Sequence, residues 1–249
     1  MKRLGGMVLC SFIDAVDWST VLERISCWAR ERESRYVCVC NVHSVVEARQ
    51  DTEFGKVINE ADMATPDGAP IARMLRRLGF KGQARINGPD LMWRYCKKAA
   101  QLGEPIYLYG GSLQTLDLLQ RRLLEHFPTL KIVGAYSPPF RPLSEDEDAT
   151  VVEAINDSGA KIVWVSLGCP KQEIWMAAHR GRINAVMVGV GAAFDYHAGT
   201  IRRAPVWMQN YGLEWLYRLM SEPRRLWRRY LVTNSLFLIG AVRQLIGSR

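Results

Sequence analysis

Five short apolar runs, each closing on a turn-forming residue and each separated from the next by an amphipathic stretch, constrain this chain more than any other feature. They are Tyr36–Cys40 ending at Asn41, Ile106–Tyr109 ending at Gly110-Gly111, Lys131–Tyr136 ending at Ser137-Pro138, Ile162–Ser166 ending at Gly168, and Ala185–Val188 ending at Gly189-Val190-Gly191. Nearly continuous apolar β-type runs suit strands covered on both faces, the environment of a parallel sheet. The intervening stretches carry helix starts. Asp17 precedes the pattern Val21, Leu22, Ile25, Trp28, and Ser112 precedes Leu113, Leu116, Leu119, Leu123. Ser144 precedes the acidic turn Glu145–Asp148, which complements the positive end of a helix dipole. The repeated strand–helix order predicts a doubly wound α/β fold, a mostly parallel sheet flanked by helices.

The pattern changes after about Thr200. Residues 200–249 hold nine arginines, no lysine and only Glu214 and Glu222 as acids, so of a net charge of +8 about +7 sits in the tail. Segment 207–222 mixes Trp207, Met208, Tyr211, Trp215, Tyr217 and Met220 with polar residues, and Pro223 interrupts it. Two or three short amphipathic helices broken near Pro223 are expected. A chain of 249 residues accommodates one α/β domain over 1–201 and an arginine-rich appendage over 202–249. A neutral body with an all-arginine tail points to an anionic partner at one end. Arginines interleaved with indoles suit a membrane surface; packing on the body or on a second copy of the chain, with the arginines as a solvated rim, is the alternative.

The apolar stretch Met7–Ile13 is too short for a signal-peptide core. Leu231–Ile246, interrupted by Thr233, Asn234, Ser235, Arg243 and Gln244, falls short of the roughly 20 residues of a spanning helix. The six cysteines form no CxxC pair, which suits a reducing compartment, and neither they nor the four histidines show metal-ligand spacing. The expectation is a cytoplasmic protein held at the inner face of a membrane.

In an open parallel sheet, ligands bind beyond the carboxyl ends of the strands, where the glycine turns of this chain fall. None matches GxGxxG or the P-loop pattern, so the usual NAD and ATP fingerprints are absent. Ala64-Thr65-Pro66-Asp67-Gly68 places a carboxylate between a residue that restricts the backbone and one that permits a tight turn, just before the helical pattern Ala69–Leu78. Asp67 either shapes that turn and caps the helix or serves as a general base at a pocket mouth.

Thr65-Pro-Asp-Gly68, Arg85-Ile-Asn-Gly-Pro-Asp90, Tyr107-Leu-Tyr-Gly-Gly111, Leu167-Gly-Cys-Pro-Lys-Gln-Glu173, Gly189-Val-Gly-Ala-Ala-Phe-Asp195, Ala198-Gly199, Arg203-Ala-Pro205 and Gly212-Leu-Glu-Trp-Leu-Tyr-Arg218 follow one another in order. Together they resemble the WecG/TagA/CpsF family of bacterial glycosyltransferases along nearly the whole chain. The resemblance implies a Rossmann-like core with a C-terminal appendage. It also implies inverting transfer of a hexose, of glucose or N-acetylmannosamine type, from a UDP-sugar to an undecaprenyl-diphosphate-linked saccharide. The family's base matches Asp67. Its pocket asparagine matches Asn41, the arginine before its G-x-D segment matches Arg85, and the glutamine of PKQE matches Gln172. Thr65, Asn87 and the turn glycines Gly110, Gly111, Gly168, Gly189 and Gly191 complete the expected donor contacts, and Arg218, Arg225 and Arg228 match the appendage arginines associated with acceptor diphosphate. Gln172 is expected to orient a sugar or phosphate, a solvent-facing position being the alternative.

Relatives often carry threonine two residues before the pocket asparagine, where this chain has Val39. The Ser137-Pro-Pro-Phe-Arg-Pro142 segment resembles the exopolysaccharide branch that includes xanthan-type glucosyltransferases. No DxD pair follows an apolar strand, so no metal and no cofactor beyond the UDP-sugar co-substrate is expected; Arg85, turn N–H groups and tail arginines would stabilise the leaving diphosphate. The competing functions are a nucleotide-sugar-binding protein without catalysis and a nucleic-acid binder acting through the basic tail. The latter leaves the glycine-lined sheet end and Asp67 unexplained, no RNA-binding motif appears, and no nucleic-acid partner is expected; a homo-oligomer stays open.

Overall fold

The computed structural model describes residues 3–247, so Arg249, the last of the tail arginines, lies outside it. In chain order the elements begin with β1 (Gly5–Val8), β2 (Ser11–Asp14), α1 (Trp18–Arg30), β3 (Arg35–Cys40), α2 (Val42–Gln50), α3 (Thr52–Glu60), β4 (Met63–Pro66) and α4 (Ala69–Arg77). There follow α5 (Gly88–Leu102), β5 (Ile106–Gly110), α6 (Leu113–His126), β6 (Ile132–Tyr136), α7 (Glu145–Asp157), β7 (Ile162–Ser166), α8 (Lys171–Ala178), β8 (Val186–Gly189) and α9 (Ala193–Ala198). The tail forms α10 (Val206–Asn210), α11 (Glu214–Ser221) and α12 (Pro223–Gly247). The fold is α/β and Rossmann-like, with strand order β4-β3-β8-β7-β5-β6 and parallel pairing of β3 with β8, β8 with β7, β7 with β5 and β5 with β6.

The chain forms two compact units. One comprises Trp18–Cys38 and Gly88–Ile201. Its sheet interior is apolar on both faces, as the uninterrupted burial of Ile162–Val165 and Val186–Gly189 shows. Helices cover it with one face each: α1 buries Val21, Ile25 and Ala29, and α5 buries Leu91, Met92, Tyr95 and Ala99. A buried carboxylate, Glu104, is held by the Tyr95 hydroxyl at 2.7 Å and the Ser26 hydroxyl at 3.3 Å, which satisfies it without a charged partner. Ser112 caps α6, and Ser144 forms a capping box with Glu147 at the start of α7, as their sequence positions predict.

The other unit comprises, among the described residues, 3–17, 39–87 and 202–247. β1 and β2 pair as an antiparallel hairpin, and the buried Asp14 carboxylate accepts from Arg3 and from the Ala64 N–H, each at 2.7 Å, tying the hairpin to β4. Helix α12 starts at Pro223, where the missing N–H costs nothing. From there α12 runs for 25 residues, longer than the apolar run Leu231–Ile246, and within it the Thr233 hydroxyl donates to the Arg229 carbonyl at 2.8 Å. By length and composition α12 is long and apolar enough to cross a membrane. One of its faces is nevertheless committed to protein. Leu226, Thr233, Phe237 and Ala241 are buried, a Cβ at Gly240 would collide with Leu9 and Arg49, and the Gln244 amide bonds the Leu9 N–H at 2.8 Å and the Met7 carbonyl at 2.6 Å.

Candidate active site

The structure places Asp67 in the turn after β4, and three hydrogen bonds, two of them between main-chain groups, hold that turn. Its N–H donates to the Cys40 carbonyl at 2.8 Å, and the Ile86 N–H donates to the Pro66 carbonyl at 2.9 Å. The fully buried Thr65 turns its hydroxyl to the Ile86 carbonyl at 3.4 Å. Segment 84–87 is thereby stitched alongside the end of β4. Gly68, with φ of +88°, then lets the chain turn sharply into α4. Gly68 offers no side-chain cap and Asp67 makes no capping bond to α4, so the cap alternative for Asp67 fails and its carboxylate is left for other partners.

Those partners form a connected cluster. Arg85 Nε donates to Asp67 Oδ1 at 3.2 Å, and Arg85 Nη2 donates to Glu214 Oε2 at 2.5 Å. Glu214 accepts from Arg203 Nε at 3.3 Å through its other oxygen, and Arg203 Nη2 donates to the Asn87 side-chain oxygen at 3.1 Å. Two carboxylates thus meet two guanidiniums. The side chains of Asp67, Arg85 and Glu214 are 19%, 21% and 13% exposed, shielded enough for their charges to act strongly yet open to solvent. Burial raises the Asp67 carboxyl above its ordinary range; Arg85 opposes this, and Glu214 adds to it. Burial also works against the charge of Arg85, but Asp67 and Glu214 outweigh it and hold the guanidinium above its usual value. A carboxylate with raised proton affinity, fixed beside a permanent cation, suits proton abstraction from a hydroxyl next to a departing anion.

Asn41 lies at the end of β3 and caps α2, its Oδ1 accepting from the His43 N–H at 2.9 Å and the Ser44 N–H at 3.2 Å. With that oxygen committed, contact with a ligand falls to the Nδ2 donor. Asn41→Ala should therefore lose about 0.5–2 kcal/mol of stability with the cap. Asn41→Asp should keep the melting temperature near the wild-type value and raise only the donor KM, as thermal melts and steady-state kinetics would show.

The unit formed by Trp18–Cys38 and Gly88–Ile201 holds the expected turn glycines and Gln172 at the carboxyl ends of β5, β7 and β8. A Cβ at Gly110, where φ is +111°, would overlap the Ser166 carbonyl, and one at Gly189 would meet Met176 at 2.8 Å and the Gln172 amide at 3.1 Å. Close approach to the Ser166 main chain thus demands glycine at position 110, whereas at position 189 the neighbours are the ends of the Met176 and Gln172 side chains. Gly111 accepts from the Ser137 hydroxyl at 2.6 Å, and Gly191 from the Ser166 hydroxyl at 2.7 Å. Gly168 stands apart, with nothing within 4 Å of where a Cβ would lie. Gln172 is buried, which removes the solvent-facing alternative; its amide accepts from the Gly191 N–H at 3.1 Å and donates to Glu173 at 2.8 Å. It braces the Gly191 turn with both ends of its amide.

In the tail, Glu222 bridges Arg225 at 2.7 Å and Arg218 at 3.7 Å, while Arg228 is exposed. Sequence reasoning missed Arg203 and Glu214. The available signal was that a tail with nine arginines keeps only two acids, Glu214 and Glu222, and each of these two bridges a pair of arginines. Among the described residues, no group of three or more His, Cys, Asp or Glu side chains is gathered as a metal site. Against models of known protein families, residues 7–249 match one described as the Glycosyl transferase WecG/TagA/CpsF family.

Proposed function

The chain belongs to the WecG/TagA/CpsF family of glycosyltransferases, and from that membership we propose that it moves a hexose, of glucose or N-acetylmannosamine type, from a UDP-sugar to an undecaprenyl-diphosphate-linked saccharide in envelope or exopolysaccharide synthesis. The observation that carries this reading is the Asp67–Arg85 pair, a carboxylate of raised proton affinity held 3.2 Å from a guanidinium that stays charged. In a single in-line displacement, an acceptor hydroxyl oxygen bonds to the anomeric carbon as the bond from that carbon to the diphosphate oxygen breaks. Asp67 takes the hydroxyl proton, configuration inverts, and UDP leaves with its new charge balanced by Arg85 and, when acceptor is bound, by tail arginines. No step requires a metal ion, since fixed guanidiniums supply the positive charge. The test is a panel of radiolabelled UDP-sugars with short-chain prenyl-diphosphate-linked glucose and N-acetylglucosamine acceptors, run with and without a chelator. Transfer from at least one UDP-sugar in the chelator's presence is expected; hydrolysis or binding without transfer across the panel would contradict it.

We further read the body, 1–201, as catalytic and the appendage, 202–249, as the part that meets acceptor and the inner membrane surface. Because one face of α12 is latched to the hairpin and α2, this helix lies on a bilayer instead of crossing it. Its opposite face offers Leu231, Leu238 and Val242 at 55–63% exposure, spaced seven and four residues apart on one stripe, beneath the exposed Trp227. Replacing Leu238 and Val242 together by glutamate should weaken binding to phosphatidylglycerol-containing vesicles by about 10²–10⁴-fold, because each buried aliphatic side chain contributes about 1.5–3 kcal/mol. Vesicle co-sedimentation measures this; undiminished binding would place the membrane contact elsewhere.

A further inference from the structure

Glu214 sits in the first turn of α11, where a carboxylate ordinarily complements the helix dipole from a solvated position. Here its side chain is 13% exposed, and its two oxygens serve two arginines from separate segments, Arg85 before α5 and Arg203 before α10. The geometry divides Arg85 unequally. Its Nη2 lies 2.5 Å from Glu214, whereas only its Nε reaches Asp67, at 3.2 Å. A guanidinium with a single carboxylate partner pairs with it bidentately, and a carboxylate held that way is a weak base. Glu214 prevents that outcome by taking Nη2, the second donor of the edge whose Nε reaches Asp67.

We propose that Glu214 is a positioning residue that sets the basicity of Asp67 by drawing Arg85 away from it, an inference that rests on Asp67 being the base of the reading above. The charged groups facing Asp67 are Arg85, Glu214 and Arg203, and their signs are consistent with this. Glu214 pushes the Asp67 proton affinity up while both arginines pull it down. Removing Glu214 takes away the repulsion and releases Arg85 to Asp67, two changes of the same sign. Control of the base therefore lies on a helix of the appendage, so the reaction proceeds at full rate only with α11 seated.

The test is the pH dependence of kcat/KM for the full-length wild type, Glu214→Gln and Glu214→Asp. In Glu214→Gln the acid limb should move down by about one pH unit, with a several-fold lower plateau because the base is weaker. Glu214→Asp, which keeps the charge, should hold the limb at the wild-type position even if its rate falls. An active Glu214→Gln enzyme with an unmoved limb would overturn the proposal. Should Glu214→Gln fail to fold, a moved limb in Glu214→Asp would overturn it and an unmoved limb would support it. A carbon-13 titration of the Asp67 carboxyl, assigned by its loss in Asp67→Asn, reads proton affinity without turnover and must show the same downward shift in Glu214→Gln. A wild type that transfers no sugar, yet shows that shift, would fault the proposed function and leave this inference standing.

Discussion

Asp67→Asn is expected to lower kcat by about 10²–10⁴-fold, the usual contribution of a positioned general base, while leaving the fold intact. The amide matches the carboxylate in shape. The main-chain bond from the residue 67 N–H to the Cys40 carbonyl, which holds the turn, does not involve the side chain. The substitution also carries a stability signature. The environment raises the Asp67 carboxyl above its ordinary range, so the ionised side chain is disfavoured by folding as pH rises through that raised value. Removing the charge removes the cost. The melting temperature of Asp67→Asn at neutral pH should therefore equal or exceed that of the wild type, although an ion pair has been lost. Single-turnover kinetics with a short-chain acceptor and a thermal melt together check both halves. A variant that loses activity by unfolding would show a depressed melting temperature instead.

Arg85→Gln should be nearly as damaging to catalysis, with the opposite effect on pH. Losing one fixed donor at a developing anion typically costs 10²–10³-fold in kcat, and here the lost group also faces the base. Without Arg85, Asp67 keeps the burial and the Glu214 repulsion that raise its proton affinity and loses the largest opposing influence. The acid limb of kcat/KM should then move up. Glu214→Gln and Arg85→Gln thus displace one limb in opposite directions, a pattern that general loss of structure would not produce. Stability should respond in the same sense. Asp67 would lose its guanidinium partner while Glu214 retained Arg203, so Arg85→Gln should be least stable at neutral pH and recover as pH falls and Asp67 takes up a proton. Melting curves at several pH values would show the recovery.

Much of the fold was legible because most of its strands are buried on both faces, the half-exposed edge strand β6 being the exception. Tyr36–Cys40, Ile106–Tyr109, Lys131–Tyr136, Ile162–Ser166 and Ala185–Val188 all became β3, β5, β6, β7 and β8 within a residue or two at their ends. What escaped notice lacks that signal. β1 and β2 are four residues each, joined by Leu9-Cys10 without the usual turn chemistry, and β4 is the four-residue Met63–Pro66 ending in a proline that reads as loop. Pro223 was legible as a break, but it starts a helix; the length of α12 followed from tertiary contacts at Gly240 and Gln244 that no local pattern encodes. The site divides along similar lines. Asp67 and Arg85 stood out because proline, glycine and asparagine flank them in motifs. Glu214 and Arg203 are distant in sequence from Asp67, and only folding brings them to Arg85 and Asn87. Gln172 was legible as a residue of the Pro170-Lys-Gln-Glu173 motif, yet the use of its amide to brace Gly191 depends on a turn 19 residues away.

The most direct measurement is a crystal structure of Asp67→Asn bound to an intact UDP-sugar that the wild type uses. The diphosphate should lie within hydrogen-bond reach of Arg85, and the side chain at position 67 should face the anomeric carbon from the side opposite the leaving oxygen. A diphosphate seated away from Arg85, or position 67 turned from the sugar, would contradict the assignment of Asp67 as the base.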